Sequence, residues 1–262
     1  MKRVIGRILL EWRTLLESLR FFTRLPLGHA AHDGALLARS HPCFPMVGAV
    51  VGAILVLAFD LVEPVLDRNL SVLVMLAVGW VLTGGFHEDG FADVCDGIWG
   101  GFTPQRRLEI MKDSRVGTFG SLGLFWWVAM KVTILGQIEA GLFAPAVFLG
   151  HVLGRASSVL MLAVFPMART DGGGRSSLFV GPPSWGGSAA TLVVTMLLTL
   201  WLPYGAAGVI VIAAVSLLCG LWFQRTLGGI NGDTLGATNQ LCELAVMLCF
   251  VIRLTPESCS FI

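Results

Sequence analysis

Four carboxylates fall within nine residues of this chain, in the segment Glu88-Asp89-Gly90-Phe91-Ala92-Asp93-Val94-Cys95-Asp96. If the segment is helical, Asp89, Asp93 and Asp96 stand at positions i, i+4 and i+7 and share one face. Carboxylates this close repel one another, so they are either partly protonated or held around a cation. Oxygen ligands favour Mg²⁺ where a phosphate completes the coordination. The predicted metal ligands are Asp89, Asp93, Asp96 and Glu88, and the three aspartates are also the first candidates for catalysis. The alternative is a solvated acidic face.

Cations follow this acidic segment, in the stretch Arg106-Arg107-Leu108-Glu109-Ile110-Met111-Lys112-Asp113-Ser114-Arg115. Positive side chains beside a carboxylate-bound metal neutralise the pyrophosphate oxygens that the metal does not reach. A membrane anchor explains Arg106 and Arg107 equally well, but it explains the cluster that starts at Lys112 less well. The predicted catalytic residues here are Lys112, Asp113 and Arg115, and the predicted substrate contacts are Arg107 and Ser114.

A second polar segment, from Gly228 to Gln240, opens the last apolar run and is followed by Glu243. Polar side chains inside a membrane usually face the bundle interior and mark a site or a pathway. We predict that Asp233 and Asn239 complete a substrate pocket, with hydrogen bonding between helices as the alternative. Gly90 joins the substrate-binding candidates because glycine permits close backbone approach to a ligand.

Two cations, Lys131 and Arg155, fall within apolar runs, and Arg155 follows His151 and Gly154. An unpaired arginine at the centre of a membrane helix costs roughly 2.5–3.5 kcal/mol on insertion scales. Either a partner carboxylate or a substrate phosphate would account for it, and we place Arg155 among the substrate-binding residues.

The rest of the chain is apolar. Of its 262 residues 55% are hydrophobic and 13% are charged, and its mean hydropathy is +0.78. A soluble domain of this length could not cover its surface with so few charges, so the composition indicates a membrane protein. The net charge of +1 argues against a general nucleic-acid binder, and no nucleic-acid partner is expected.

Apolar runs of roughly 17 to 25 residues are long enough to cross a bilayer as helices. They occur near 44–62, 70–86, 119–138, 142–165, 189–202, 205–223 and 236–252. We therefore predict an all-α polytopic membrane bundle of about seven transmembrane helices, six to seven, in a single catalytic domain over residues 1–262. The stretch 189–223 has two interpretations, because Pro203-Tyr204-Gly205 is either a turn between two crossings or a kink inside one hairpin.

Residues 1–40 precede the first span. Apolar residues recur there at three- and four-residue steps between arginines, which is typical of a basic amphipathic helix on an anionic membrane surface. A cap packed on the bundle is the alternative. With the amino terminus inside, 14 of the 18 Lys and Arg residues fall on one side. This predicts that the amino terminus and the catalytic loop, 87–118, face the cytoplasm.

These motifs together resemble the cobalamin (5′-phosphate) synthase family, also called adenosylcobinamide-GDP ribazoletransferase. The matching stretches run in order along nearly the whole chain: Phe22-Thr23-Arg24-Leu25-Pro26, Phe44-Pro45-Met46-Val47-Gly48, Thr83 to Gly97, Ile110 to Gly120 and Gly232 to Ala237. The resemblance implies a Mg²⁺-dependent transferase of the bacterial inner membrane that joins adenosylcobinamide-GDP to α-ribazole or α-ribazole 5′-phosphate and releases GMP. It places the family's acidic motif on Asp89, Asp93 and Asp96, and Arg24 is taken as a further substrate contact.

Two other functions stay open at this point. The core Asp89-Gly90-Phe91-Ala92 is also similar to the CDP-alcohol phosphotransferases, although Asp93 stands where that family has arginine. An ion-coupled transporter is the alternative of a different class, but transporter sites lie near the bilayer midplane rather than at a boundary. The expected partners are the two substrates and the lipid bilayer, and assembly into a homo-oligomer or with other cobalamin-assembly enzymes is left open.

Overall fold

A computed structural model of the chain describes residues 2–28, 31–168 and 199–252, together with positions 193, 195 and 197. This part of the chain is helical and contains no strand, apart from one isolated bridge between Met167 and Ile230. Its α-helices are α1 (Lys2–Phe22), α2 (Gly34–Ala38), α3 (Phe44–Val62), α4 (Arg68–Thr83), α5 (Phe86–Gly100), α6 (Pro104–Met111), α7 (Thr118–Gln137), α8 (Ala140–Val164), α9 (Gly205–Leu227) and α10 (Gly232–Cys249), and a 3₁₀ turn, His41–Cys43, precedes α3.

Four of the described helices are long and apolar enough to cross a bilayer: α3 with its preceding turn, α7, α8 and α9. Helices α4 and α5 meet that criterion only as a pair bent by 94°, which would make a fifth. The prediction of a polytopic helical membrane bundle is confirmed. The predicted runs 44–62, 119–138, 142–165 and 205–223 correspond to these four helices.

The predicted count of seven is not reached within the described residues, for reasons that differ by run. The run 70–86 is cut short at Thr83 and becomes α4. The run 236–252 is helical, as α10, but the polar residues in its first half keep it out of the apolar set. The run 189–202 lies largely outside the residues that the structure describes.

Two consecutive glycines make the bend between α4 and α5. Gly84 has a φ of +69° and Gly85 a φ of +67°, both in the left-handed region that side chains disfavour. The first ends α4 and the second begins α5. The segment predicted as a catalytic loop, 87–118, is therefore mostly two helices, α5 and α6, and not an open loop.

Helix α8 lies at the centre of the bundle. Within its apolar window 72% of the residues are buried, against 28% in α7 and in α9. Glycines let its neighbours come close: a Cβ on Gly48 of α3 would clash with the carbonyl oxygen of His151. Small residues at such crossings are typical of membrane bundles, because helices there associate through close backbone packing.

The amino-terminal helix α1 is amphipathic, as predicted. Its last turns pack against α2 and α3, where Leu19 and Phe22 are buried. Its first turns expose Ile5, Leu9 and Trp12, which stand at i, i+4 and i+7 on one face. The helix therefore combines a cap on the bundle with an apolar face turned outward, and its contact with a membrane surface stays a prediction.

Candidate active site

A pocket of about 300 Å³ opens at one end of the bundle, where six helices meet. The carboxyl-terminal ends of α1, α6 and α8 and the first turns of α3, α5 and α10 form its walls. Its charged and polar lining consists of His87, Asp89, Lys112, Arg155, Ser158, Asn231 and Asp233. Its apolar lining consists of Phe22, Phe44, Val47, Phe86, Leu108, Met111, Leu162, Met167 and Leu235.

The first turns of α5 and α10 touch each other directly. A Cβ on Gly90 would lie 2.9 Å from the Cα of Asp233, and one on Gly236 would lie 3.2 Å from the carbonyl oxygen of His87. Gly90 thus permits a close approach, as predicted, but the group that approaches is the backbone of α10. This contact brings Asp89 and Asp233, far apart in sequence, to one side of the pocket.

Three carboxylates form one electrostatic cluster at this contact. Asp93, which is half-buried, lies within electrostatic range of Asp89 and Asp233, and Asp233 is in turn influenced by Asp89. The Asn231 side chain caps α10 by accepting a hydrogen bond from the N–H of Thr234, and its amide lies 3.3 Å from Asp233 Oδ2. Asp233, predicted from the sequence as a substrate contact only, belongs to the same cluster as two of the predicted metal ligands.

The other two predicted metal ligands, Asp96 and Glu88, do not line the pocket, although Asp96 lies within electrostatic range of Asp93. Asp96 is buried, and its carboxylate accepts hydrogen bonds from the N–H groups of Gly117 at 2.7 Å and Gly120 at 2.8 Å. It thereby caps the first turn of α7, whose N–H groups have no partner inside the helix. Glu88 does not line the pocket and instead borders a second, smaller cavity.

The four-residue ligand set predicted from spacing is therefore not assembled. Within the described ranges, no three His, Cys, Asp or Glu side chains converge closely enough to hold an ion by themselves. The helical spacing of the aspartates was inferred correctly, but the carboxylate of Asp96 already accepts hydrogen bonds from the N–H groups at the start of α7. A site in this pocket draws its carboxylates from two helices, α5 and α10.

Of the predicted cations, some line the pocket and others lie outside it. Lys112 lines the pocket, but Arg115 pairs with Asp113 at 2.6 Å and its side chain is 87% exposed. Hydrogen bonds from Arg115 lower the pKa of Asp113 to about 2. The predictions of Asp113 and Arg115 as catalytic residues and of Ser114 as a substrate contact gain no support from this geometry, because none of the three lines the pocket.

Arg107 serves the backbone instead of the pocket. Its Nε donates to the carbonyl oxygen of Gly101 at 2.9 Å, and its Nη1 donates to that of Thr226 at 3.1 Å. These carbonyls lie at the carboxyl-terminal ends of α5 and α9, where helices leave acceptors unsatisfied. Arg107 therefore connects two helix ends, and it does not line the pocket, so its assignment as a substrate contact gains no support from this geometry.

Two further predicted substrate contacts also lie outside the pocket lining. The Arg24 backbone N–H donates to Leu82 at 2.7 Å, and its guanidinium lies over Gly84, at the bend between α4 and α5. Asn239 is fully buried and packs beneath Gly154 at the contact of α8 with α10. Asn239 therefore lies in a helix interface, but its side-chain amide has no hydrogen-bond partner among the described residues, so the alternative of hydrogen bonding between helices is not observed for it.

Arg155 is paired with a buried carboxylate. Its Nη1 lies 3.2 Å from Glu243 Oε1, and Lys131 Nζ lies 2.6 Å from Glu243 Oε2. His151 Nδ1 is 3.0 Å from the same carboxylate, whose side chain is fully buried. The expectation of a partner carboxylate for Arg155 is confirmed. Lys131 and His151 were missed as members of this network, although an isolated charge in an apolar run was the available signal.

This buried network forms the back of the pocket. Arg155 and His87 border both the pocket and the small cavity that holds Glu88, Lys131 and Glu243. The guanidinium of Arg155 thus pairs with Glu243 on the side of the small cavity. Arg155 also lines the pocket together with Asp89 and Asp233.

The family model for cobalamin-5-phosphate synthase matches residues 14–251, a range that includes every residue of the pocket. The chain belongs to this family. Among similar curated proteins, a 36% identical one from Shewanella woodyi covers 87% of this chain and 91% of its own length. One from Leptothrix cholodnii is 38% identical over 91% and 94%, and one from Vibrio cholerae is 33% identical over 92% and 94%.

Each of these relatives is named adenosylcobinamide-GDP ribazoletransferase. No solved structure matches the chain significantly. The resemblance that the motifs indicated is confirmed by membership of the cobalamin-5-phosphate synthase family, and the CDP-alcohol phosphotransferase and transporter alternatives are not favoured.

Proposed function

We propose that this protein is an adenosylcobinamide-GDP ribazoletransferase, which joins adenosylcobinamide-GDP to α-ribazole or its 5′-phosphate and releases GMP. The observation that carries the proposal is the convergence of Asp89 and Asp233 with Lys112 and Arg155 in one pocket. Carboxylates beside cations suit a pyrophosphate, since a metal and fixed positive charges together neutralise its oxygens. The names of the relatives support the same reaction.

The proposed reaction is a single phosphoryl transfer. A ribose hydroxyl of α-ribazole attacks the phosphorus atom that is attached to the cobinamide arm. A new oxygen–phosphorus bond forms, the bond from this phosphorus to the GMP oxygen breaks, and the hydroxyl proton passes to a carboxylate of the pocket. In such reactions the protein contributes mainly by positioning the reactants and stabilising charge. Lys112 and Arg155 are the side chains proposed to bind the phosphate oxygens.

We propose Mg²⁺ as the cofactor, held by Asp89 and Asp233 with Asp93 beside them. Mg²⁺ usually takes one or two protein carboxylates and fills its other positions with water and substrate phosphates. Two carboxylates at a helix contact fit that requirement without a preformed cage. When bound, the ion would neutralise charge on the pyrophosphate and on the departing GMP phosphate.

We further propose that the pocket faces the cytoplasm of a bacterial inner membrane. Helices α3 and α7 begin at the pocket end, and α8 and α9 finish there, close to Arg107 and Lys112. At the opposite end Arg68 donates to the carbonyls of Leu135 and Ile138. The excess of cations at the pocket end supports this orientation under the positive-inside rule.

Orientation is tested by labelling single cysteines in intact cells with a membrane-impermeant maleimide. A cysteine at Ser114, near the pocket end, should be protected until the cells are opened, while one at Val65, which is 80% exposed at the opposite end, should react at once. The reverse pattern would contradict the orientation.

The reaction is tested with the purified protein in liposomes, given adenosylcobinamide-GDP and α-ribazole 5′-phosphate. We expect GMP and a cobalamin 5′-phosphate product in equal amounts with Mg²⁺, and neither after chelation. Asp89→Asn should abolish turnover while the protein keeps its elution profile in detergent, and Asp60→Asn on α3, outside the pocket, is the matched control. Full activity of Asp89→Asn, or GMP release without a cobalamin product, would contradict the proposal.

A further inference from the structure

Three phenylalanines build an aromatic wall along one side of the pocket. Phe22 ends α1, Phe44 begins α3 and Phe86 begins α5. The ring centroid of Phe22 lies 4.8 Å from that of Phe44 and 5.6 Å from that of Phe86, both in edge-to-face arrangements. Because the three rings come from three separate helix ends, their convergence is a property of the tertiary structure and not of one apolar helix face.

The wall is continued mainly by aliphatic side chains, and the imidazole of His87, 6.1 Å from the ring of Phe22 and 5.4 Å from that of Phe86, is the polar group against it among the described pocket residues. Val47, Leu108, Met111, Leu162 and Leu235 line the same pocket. The carboxylates lie at the contact between the first turns of α5 and α10, where they adjoin the wall residues Phe86 and Leu235. The pocket therefore offers one apolar, aromatic region and one charged region.

The two substrates differ in which part could occupy the apolar region. Guanine carries several N–H donors and a carbonyl acceptor, and a buried polar group left without a partner is unfavourable. The dimethylbenzimidazole base of α-ribazole is a flat bicyclic ring with two methyl groups and no exocyclic donor. Flat apolar rings pack well on aromatic side chains, by stacking or by edge-to-face contact.

The volume of the pocket is large enough to enclose α-ribazole but too small to enclose the corrinoid. A volume of about 300 Å³ is at the lower end of ligand pockets and suits a nucleoside. The corrin macrocycle with its side chains is several times larger than this space. The corrinoid ring must then stay outside, with only its phosphate-bearing arm reaching the charged region.

We infer that the pocket is the α-ribazole subsite, with the base on the wall of Phe22, Phe44 and Phe86 and the ribose directed at Asp89 and Asp233. This inference rests on the proposed function and adds which substrate is enclosed and which residues select its base. The attacking hydroxyl then meets the phosphoryl group at the boundary between the apolar and charged regions.

The test measures the KM of each substrate separately while the other is saturating. Phe86→Leu keeps an apolar side chain but removes a ring, and we expect the KM for α-ribazole 5′-phosphate to rise about 3- to 10-fold. The KM for adenosylcobinamide-GDP should stay within about 2-fold, since loss of the ring leaves the phosphate-binding groups unchanged. Phe125→Leu, on the exposed face of α7, is the matched control and should change neither KM.

A second variant fills the pocket from another helix. Leu235→Phe, on α10, should raise the KM for α-ribazole 5′-phosphate, and it tests the same point if Phe86→Leu does not fold. The affinity for α-ribazole is also measured directly, without the corrinoid. It should be lower for both variants than for the wild-type protein.

Two results would overturn the inference: a rise in the KM for adenosylcobinamide-GDP instead, or no change in either KM. Failure of the proposed function is a separate result, since the wild-type protein would then release no GMP at all.

Discussion

Removal of the buried carboxylate Glu243 tests how much its ion pairs, which lie behind the pocket, contribute to stability. The substitution Glu243→Gln keeps the shape of the side chain but takes away the charge shared by Lys131 and Arg155. Both cations would then be buried without that partner, because their side chains are only 2% and 5% exposed. Breaking a buried pair by removing one partner costs about 3–5 kcal/mol. Arg155 keeps its hydrogen bond to the carbonyl oxygen of His151, and Lys131 keeps its contact with the Trp127 ring at 4.4 Å, so we expect the lower end of this range, about 3 kcal/mol.

The partner substitution gives a smaller effect. In Lys131→Met the carboxylate of Glu243 keeps Arg155 and His151, so only one charge-assisted hydrogen bond is lost, worth about 2 kcal/mol. In the double variant Arg155 still lacks its carboxylate partner while the second buried cation is gone, and the total cost should stay near about 3 kcal/mol. The coupling energy between Lys131 and Glu243 is then about 2 kcal/mol, within the usual range for residues in contact.

The assay is a double-mutant cycle on unfolding in detergent, with denaturant titration followed by tryptophan fluorescence. The exposed pair Arg106 and Glu109, at 3.0 Å and with both side chains more than 60% exposed, is the control. Its coupling should be below about 0.5 kcal/mol, as for helix surface pairs. If the two pairs give equal couplings, or if Glu243→Gln unfolds as the wild type does, the argument from burial is refuted.

Three further outcomes are expected. Gly90→Ala should lower turnover more than 10-fold, because a Cβ there would lie 2.9 Å from the Cα of Asp233, while Gly141→Ala, where nothing lies within 4 Å, should leave activity unchanged; equal activities would contradict the helix contact. Asp96→Ala should lower unfolding free energy by about 2 kcal/mol through the lost cap of α7, and leave the Mg²⁺ concentration for half-maximal activity unchanged. Asp89→Glu should raise the Mg²⁺ concentration for half-maximal activity with little change in stability. If that concentration changed for Asp96→Ala but not for Asp89→Glu, Asp96 would be the metal ligand and Asp89 would not.

Several features of this protein were predictable from the sequence because they depend on local properties. Apolar runs long enough to cross a bilayer indicated the membrane bundle, since hydropathy is a sum over neighbouring residues. The spacing of Asp89, Asp93 and Asp96 indicated one helical face, since the helical repeat links residues three and four apart. An isolated Arg155 in an apolar run indicated a buried partner, because an unpaired charge there is costly.

Other features were decided by contacts between distant residues. Lys131 meets Glu243 across 112 positions of the chain, and Arg107 meets the Thr226 carbonyl across 119. Spacing in the sequence does not reveal that the amide groups of α7 bind the Asp96 carboxylate. It also does not reveal that Asp233, and not Asp96, lies beside Asp89 in the pocket. A carboxylate or guanidinium binds whichever complementary group the packing brings within about 3 Å, and only the crossing of α5 with α7 and α10 determines that group.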